Sequence, residues 1–113
     1  MSYKVNNPRN VVKFHKRYYL KMLNGDKTQT MRLARKRLDV KEGDVVTAVF
    51  PGWDQTLKIK ILKIGYKQAK SINDEDAKRE GFHTKKELLE DLQGFYPNMD
   101  KWDRLYYYRF KVL

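Results

Sequence analysis

The segment Leu105-Tyr-Tyr-Tyr-Arg-Phe-Lys-Val-Leu113 constrains this chain most. Tyr106, Tyr108, Phe110 and Val112 fall on one side of an extended backbone, and Tyr107, Arg109 and Lys111 on the other. A side-chain period of two over so many bulky residues specifies a β-strand with one face in a core. Two more segments share the pattern. Val45 to Phe50 is rich in β-branched residues, and Leu57, Ile59 and Ile61 alternate with Lys58, Lys60 and Leu62. The turns Lys41-Glu-Gly-Asp44 and Pro51-Gly-Trp-Asp54 bound them, which predicts an antiparallel pair over Val45 to Ile64.

Helical signals are interposed. Residues 12–24 read as a short helix with His15, Tyr19, Met22 and Leu23 on one face and Tyr18 beside them; Asn24-Gly25 stops it. Asn73 caps a second helix whose opening turn holds Asp74, Glu75 and Asp76. Ile72 and Ala77 occupy its staple positions and Gly81 closes it. Thr84 and Glu87 form a capping box for a third helix, with Leu88, Leu89 and Leu92 on its apolar face and Gly94 at its end. Residues 28–33 alternate again: Thr28, Thr30 and Arg32 face one way, Gln29, Met31 and Leu33 the other. Short strands with interposed helices predict a small α+β domain, a partly closed mixed β-barrel spanning 1–113 as one unit.

Composition then narrows function. The chain has no cysteine, which excludes a disulfide framework, a thiolate zinc site and a cysteine nucleophile. His15 and His83 are the only imidazoles, so a multi-histidine metal site is excluded and no cofactor is implied. His15, on the apolar helix face, is expected to be packed. No apolar run reaches the ~18 residues of a membrane span, and Met1 to Pro8 has no signal core; a cytoplasmic location follows as an expectation. The formal net charge is +11 and it is uneven: +9 lies in residues 1–40, and residues 71–100 carry −4. Arg32, Arg35, Lys36 and Arg37 form the densest cluster. Such a field points to a polyanion, so RNA or a nucleoside is the expected partner. Lys16, Arg17, Arg35, Lys36 and Arg37 are the candidate phosphate contacts, and Trp53, at a turn tip, is the candidate for base stacking or else covers the barrel end. Tyr107 is a weaker stacking candidate. The acidic stretch would also permit a basic protein partner.

Two features look chemical. Lys27 sits at a helix-to-strand corner just before Thr30 and Arg32. Glu80 stands in the last turn of a short helix, where the dipole disfavours an anion by ~0.3–1 kcal/mol. Either Glu80 has a partner elsewhere or it is a surface residue. If Lys27, Thr30, Arg32 and Glu80 converge, they make a working set. A threonine hydroxyl needs a base to become a nucleophile. A lysine serves as that base only when deprotonated, which a nearby arginine charge favours. A glutamate can then shuttle the proton. The same four could instead bind a polar ligand.

The run Leu23-Asn-Gly-Asp-Lys-Thr-Gln-Thr-Met-Arg32 resembles the signature of the ASCH domain, whose barrel is similar to the PUA domain. Lys41 to Val46 looks like the start of that family's second strand, and Asp76 to Phe82 like its acidic helix with Glu-Gly-Phe. Glu87-Leu88 and Tyr96-Pro97 follow in the expected order, so the resemblance covers roughly residues 12–113. It implies a PUA-like barrel with a cleft at the Gly-x-Lys turn, to which Gly25, Thr28 and Arg32 would contribute ligand contacts. One small branch of the family hydrolyses N4-acetylcytidine with a lysine, a threonine and a glutamate. Those positions are Lys27, Thr30 and Glu80 here. The chain departs from that branch in its extra basic cluster at Arg35-Lys36-Arg37, which favours RNA over a free nucleoside. Binding of RNA or a nucleoside is thus the leading expectation, and amidohydrolysis the alternative.

Overall fold

The computed structural model describes residues 11–113; the first ten residues of the expected single domain lie outside the described residues. Five strands form one mixed sheet. They are β1 (Val11–Lys13), β2 (Gln29–Leu33), β3 (Val45–Val49), β4 (Thr56–Gln68) and β5 (Arg104–Val112). Their spatial order is β1-β3-β4-β5-β2. β1 pairs with β3 in parallel, and every other pairing is antiparallel. Three helices accompany the sheet: α1 (Tyr19–Leu23), α2 (Asp74–Arg79) and α3 (Lys85–Phe95).

The α+β class and the mixed sheet are as expected. The sheet does not close into a barrel, because β1 and β2 remain its two edges. They are joined instead by a side chain: Arg32 Nη2 on β2 donates to the Lys13 carbonyl at the end of β1, 2.8 Å away. That staple fixes the seam where the candidate site lies.

Each face of the sheet buries its own core. Val12, Phe14, Val46, Ile59, Ile61 and Phe110 pack with Tyr18 and Met22 from the α1 segment. Met31, Leu33 and Leu105 pack with Ala77, Leu88 and Leu92 from α2 and α3. The expected Thr84–Glu87 capping box closes, and the expected Asn73 cap proves to be a capping box as well, with Asp76. Ile72 and Ala77 meet in the second core. These caps satisfy orphan N–H groups that two short helices could not otherwise cover.

Three expectations need correction. Residues 12–24 are not one helix. Val11–Lys13 is the β1 strand, Lys16–Tyr18 is a 3₁₀ turn, and α1 is only five residues long. The β-branched Val11 and Val12 find a parallel partner in β3, a non-local pairing that outweighs local helical spacing. Tyr18 and Met22 therefore point inward, while Leu23 and His15 are exposed. His15 is no packed residue: its Nδ1 caps the 3₁₀ turn by accepting from Arg17 N–H. Next, α3 runs through Gly94 to Phe95, since Tyr96 N–H still donates to the Leu92 carbonyl. Finally, β4 continues to Gln68 across a bulge between Ile61 and Lys63. Gly65 makes that extension possible, because the Tyr107 ring of β5 lies directly where a β-carbon would stand. Among the described residues no helix is long and apolar enough to cross a membrane.

Candidate active site

The site is assembled by two glycine turns that lean on each other. Gly25 takes φ 85° after α1, a conformation that an L-residue with a β-carbon adopts only under strain. The chain reverses there, and Lys27 N–H donates to the Lys21 carbonyl at 2.9 Å. Gly81 takes φ 91° after α2. A β-carbon on Gly81 would lie 3.0 Å from Lys21 Cδ and 3.5 Å from Lys27 Cβ, so glycine lets the end of α2 approach the Gly25–Lys27 turn. Lys21 Nζ donates to the Gly81 carbonyl, and Thr28 N–H donates to the Arg79 carbonyl. The result places Glu80 against Lys27, although 53 residues separate them along the chain.

Lys27 Nζ lies 2.9 Å from Glu80 Oε1, and both residues are only 3% exposed. The ammonium also sits 4.6 Å from the centre of the Tyr18 ring. Tyr18 is fixed in turn by Asp91 of α3, which accepts from its hydroxyl and from the Arg17 guanidinium. Burial first, and then Asp91, push the Tyr18 phenol well above its usual range. It therefore stays neutral and serves as a ring and a donor.

Thr30 faces the same space from β2. Arg32 Nε donates to Thr30 Oγ1 at 3.3 Å, while the Arg32 guanidinium lies 5.2 Å from the Phe14 ring centre. Burial pulls the Arg32 pKa below its ordinary value, with Glu80 among the groups opposing that shift; a guanidinium nevertheless remains charged in a protein. Lys27, Thr30, Arg32 and Glu80 line one cavity of about 120 Å³, with Phe14, Tyr18 and Tyr96 among its walls. Glu80 Oε2 is buried there and has no hydrogen-bond partner among the described residues. Burial pushes the Glu80 carboxyl above its usual range, and the Lys27 charge opposes that shift. The arrangement is a small, partly enclosed pocket with two cations, one hydroxyl and one under-satisfied carboxyl group.

The four residues singled out for chemistry thus meet. The other candidates do not join them. Gly25 and Thr28 line a second, more open cleft of about 840 Å³ with Lys63, Arg79, Arg109 and Lys111; Lys27 borders both spaces. Arg35, Lys36 and Arg37 are exposed on the 3₁₀ turn Ala34–Lys36 and just after it, outside the pocket wall. Lys16 is exposed beside the mouth residue His15, and Arg17 is engaged with Asp91. Trp53 is exposed at its turn and is not part of the pocket. Tyr107 lies over Gly65 and packs at the edge of the second core.

Sequence reading missed a polar relay beneath the site. Gln29 is fully buried; it donates to Asp76 and accepts from Arg109 Nε, and Asp76 also accepts from Lys67. Its signal was a glutamine on the face otherwise taken by Met31 and Leu33.

No family model matches the sequence, and no curated protein matches it either. Solved structures do match. An ASCH domain from Lactobacillus crispatus JV V101 superposes with a TM-score of 0.73 at 17% identity, covering 99% of this chain and 86% of that one. A protein from Enterococcus faecalis V583 gives 0.72 at 19% identity, covering 92% of this chain and 76% of that one. A hypothetical protein gives 0.67 at 18% identity, with 91% and 97% covered. Identities this low bear on architecture alone. On that evidence the chain has the fold of the ASCH domain.

Proposed function

We propose that the Lys27–Glu80 pocket is a hydrolytic site for an acyl amide carried on a single nucleobase, with N4-acetylcytidine as the representative substrate. The observation that carries this reading is the buried Lys27–Glu80 pair, with one carboxyl oxygen left unpartnered, opening on Thr30 in a cavity of about 120 Å³. That volume is of the order of the ~150 Å³ cavity that takes one benzene ring. It suits a flat ring, with the sugar left outside the mouth. The aromatic walls Phe14 and Tyr96 suit a flat ring, and the cations suit its carbonyl oxygens.

The chemistry balances within the pocket. Lys27 hands one proton to Glu80 along their 2.9 Å hydrogen bond as it takes up the Thr30 hydroxyl proton, and Thr30 Oγ attacks the amide carbonyl carbon. Arg32 faces the negative charge that develops on oxygen. When the C–N bond breaks, Glu80 gives its proton to the departing exocyclic amine, and the acyl group remains as an ester on Thr30. Water attacks that ester and gives one proton to Glu80. Thr30 Oγ recovers its proton from Lys27, Glu80 returns one to Lys27, and a carboxylic acid leaves.

The test is incubation with N4-acetylcytidine and chromatographic separation of cytidine. Release by the wild type and its loss in Thr30→Ala and Lys27→Ala are expected. Unchanged substrate with wild-type protein, or equal rates in those variants, overturns the reading.

A second reading is that the same pocket holds a modified base presented by RNA, without turnover. The exposed cations Lys13 and Lys16 at one side of the mouth, and Arg35, Lys36 and Arg37 beyond β2, favour it. Affinity for an RNA carrying the modified base should then fall steeply with salt. A salt-independent affinity would exclude it.

A further inference from the structure

A second surface, away from the pocket, carries exposed aromatic rings interleaved with cations. Tyr66 on β4 and Tyr106 on β5 are cross-strand partners with ring centres 5.7 Å apart. The Arg37 guanidinium sits 5.7 Å from the Tyr106 ring centre, and its Nη1 donates to the Tyr106 hydroxyl. Arg104 lies 4.7 Å from the Tyr66 ring centre. Gln68, the cross-strand partner of Arg104, donates to the Trp102 carbonyl. Lys70 Nζ lies 4.0 Å from the centre of the Trp102 ring, and Lys101 Nζ 5.3 Å. The contacts therefore run without a break from Arg37 to Lys70.

Its exposure sets this band apart. Tyr66 is 60% exposed and Trp102 57%, each with a cation already held against it. The acidic groups of the neighbouring turn are turned to its backbone: Asp100 accepts from Trp102 N–H, and Asp103 from Asp100 N–H. The four cations Arg37, Lys70, Lys101 and Arg104 are left to face solvent. Exposed π-faces flanked by positive charge match a strand whose bases are unstacked and whose backbone is anionic. A duplex offers the charge but keeps its bases paired and stacked, so it cannot use the rings. Trp53, exposed at its own turn, has no described cation over its ring.

We propose that the band from Arg37 through Tyr106, Tyr66 and Arg104 to Trp102 and Lys70 is a stacking platform for single-stranded nucleic acid. Bases stack on Tyr66 and Trp102, and Arg104 and Lys70 hold the adjoining phosphates. The proposal does not rest on hydrolysis in the Lys27–Glu80 pocket. Trp102→Ala leaves any such hydrolysis of a free nucleoside intact, so the two readings fail separately.

The test uses the full chain with a dye-labelled oligouridylate, read by fluorescence anisotropy, and a labelled duplex as comparison. Trp102 and Trp53 are the only tryptophans, so Trp53→Phe leaves Trp102 as the sole indole reporter. Expected are quenching of Trp102 emission as the strand binds, and a rise in Kd of roughly 5- to 150-fold for Trp102→Ala and for Tyr66→Ala. Tyr66→Phe keeps the ring and should keep the affinity. Arg104→Gln should lower the slope of log K against log salt by about one. Absence of strand binding, wild-type affinity in both alanine variants, or duplex binding as tight as the single strand overturns the proposal.

Discussion

Replacing Lys27 by methionine keeps most of the side-chain volume and removes the ammonium that donates to Glu80 Oε1. The buried Glu80 carboxyl then loses its hydrogen-bonded counter-charge. It can escape that state by binding a proton, and the pH sets the free energy of doing so. From the ordinary glutamate value of 4.5, protonation at pH 7 costs at most about 3.4 kcal/mol, at 1.36 kcal/mol per pH unit. At pH 5 the same limit is only about 0.7 kcal/mol. The sign follows from linkage. A carboxyl whose folded-state pKa lies above its unfolded value holds the proton more tightly when folded. Its stabilisation is complete below the unfolded value and is lost as pH rises through the folded one. Lys27 opposes the upward shift in the wild type, so its removal widens that window. Urea denaturation followed by circular dichroism at pH 5 and pH 7 should show Lys27→Met destabilised by about 2–4 kcal/mol at pH 7. The gap to wild type should shrink by up to ~2.7 kcal/mol at pH 5. Adding Glu80→Leu to Lys27→Met should recover most of the loss, because a buried ion pair is often replaceable by apolar groups of similar size. A pH-independent difference, or a Lys27→Met protein as stable as wild type at pH 7, would show that Glu80 does not depend on Lys27 in this way.

Three further outcomes are expected. Arg32→Lys keeps the charge but cannot donate at once to Thr30 and to the Lys13 carbonyl; turnover of N4-acetylcytidine should fall about a hundredfold, measured by cytidine release. Gly65→Ala forces the Tyr107 ring off β4 and should lower stability by about 1–3 kcal/mol in urea denaturation, with partial relief in the Gly65→Ala, Tyr107→Ala double variant. Asn73→Ala removes the α2 cap and should destabilise by about 1 kcal/mol in the same assay.

Local chemistry made parts of the site readable from sequence. Glu80 was conspicuous because a carboxylate opposes the dipole at the end of α2, and its reason proved to be Lys27. The Asn73 cap and the Thr84–Glu87 capping box were readable because a cap lies within three residues of its partner. What escaped was non-local. Tyr18 could be placed near the apolar face of α1, but its anchor Asp91 is 73 residues away on another helix. β1 is three residues long and pairs with a strand more distant in sequence, so Val12 and Lys13 were read into a helix. The open seam between β1 and β2 is set by one arginine side chain, which no periodicity encodes. Gly25 and Thr28 belong to the signature run that also contains Lys27 and Thr30, yet they line only the larger cleft, while Lys27 borders both spaces and Thr30 only the small one.

The proposed site of the base is the small Lys27–Glu80 pocket, and not the larger cleft of about 840 Å³ beside Gly25 and Thr28. Titration of ¹⁵N-labelled protein with cytidine distinguishes the two through backbone amide shifts. Saturable shifts are expected at Phe14, Thr30, Met31 and Arg32, reduced in the Thr30→Val protein. Shifts confined to Gly25, Thr28, Arg109 and Lys111 would contradict it.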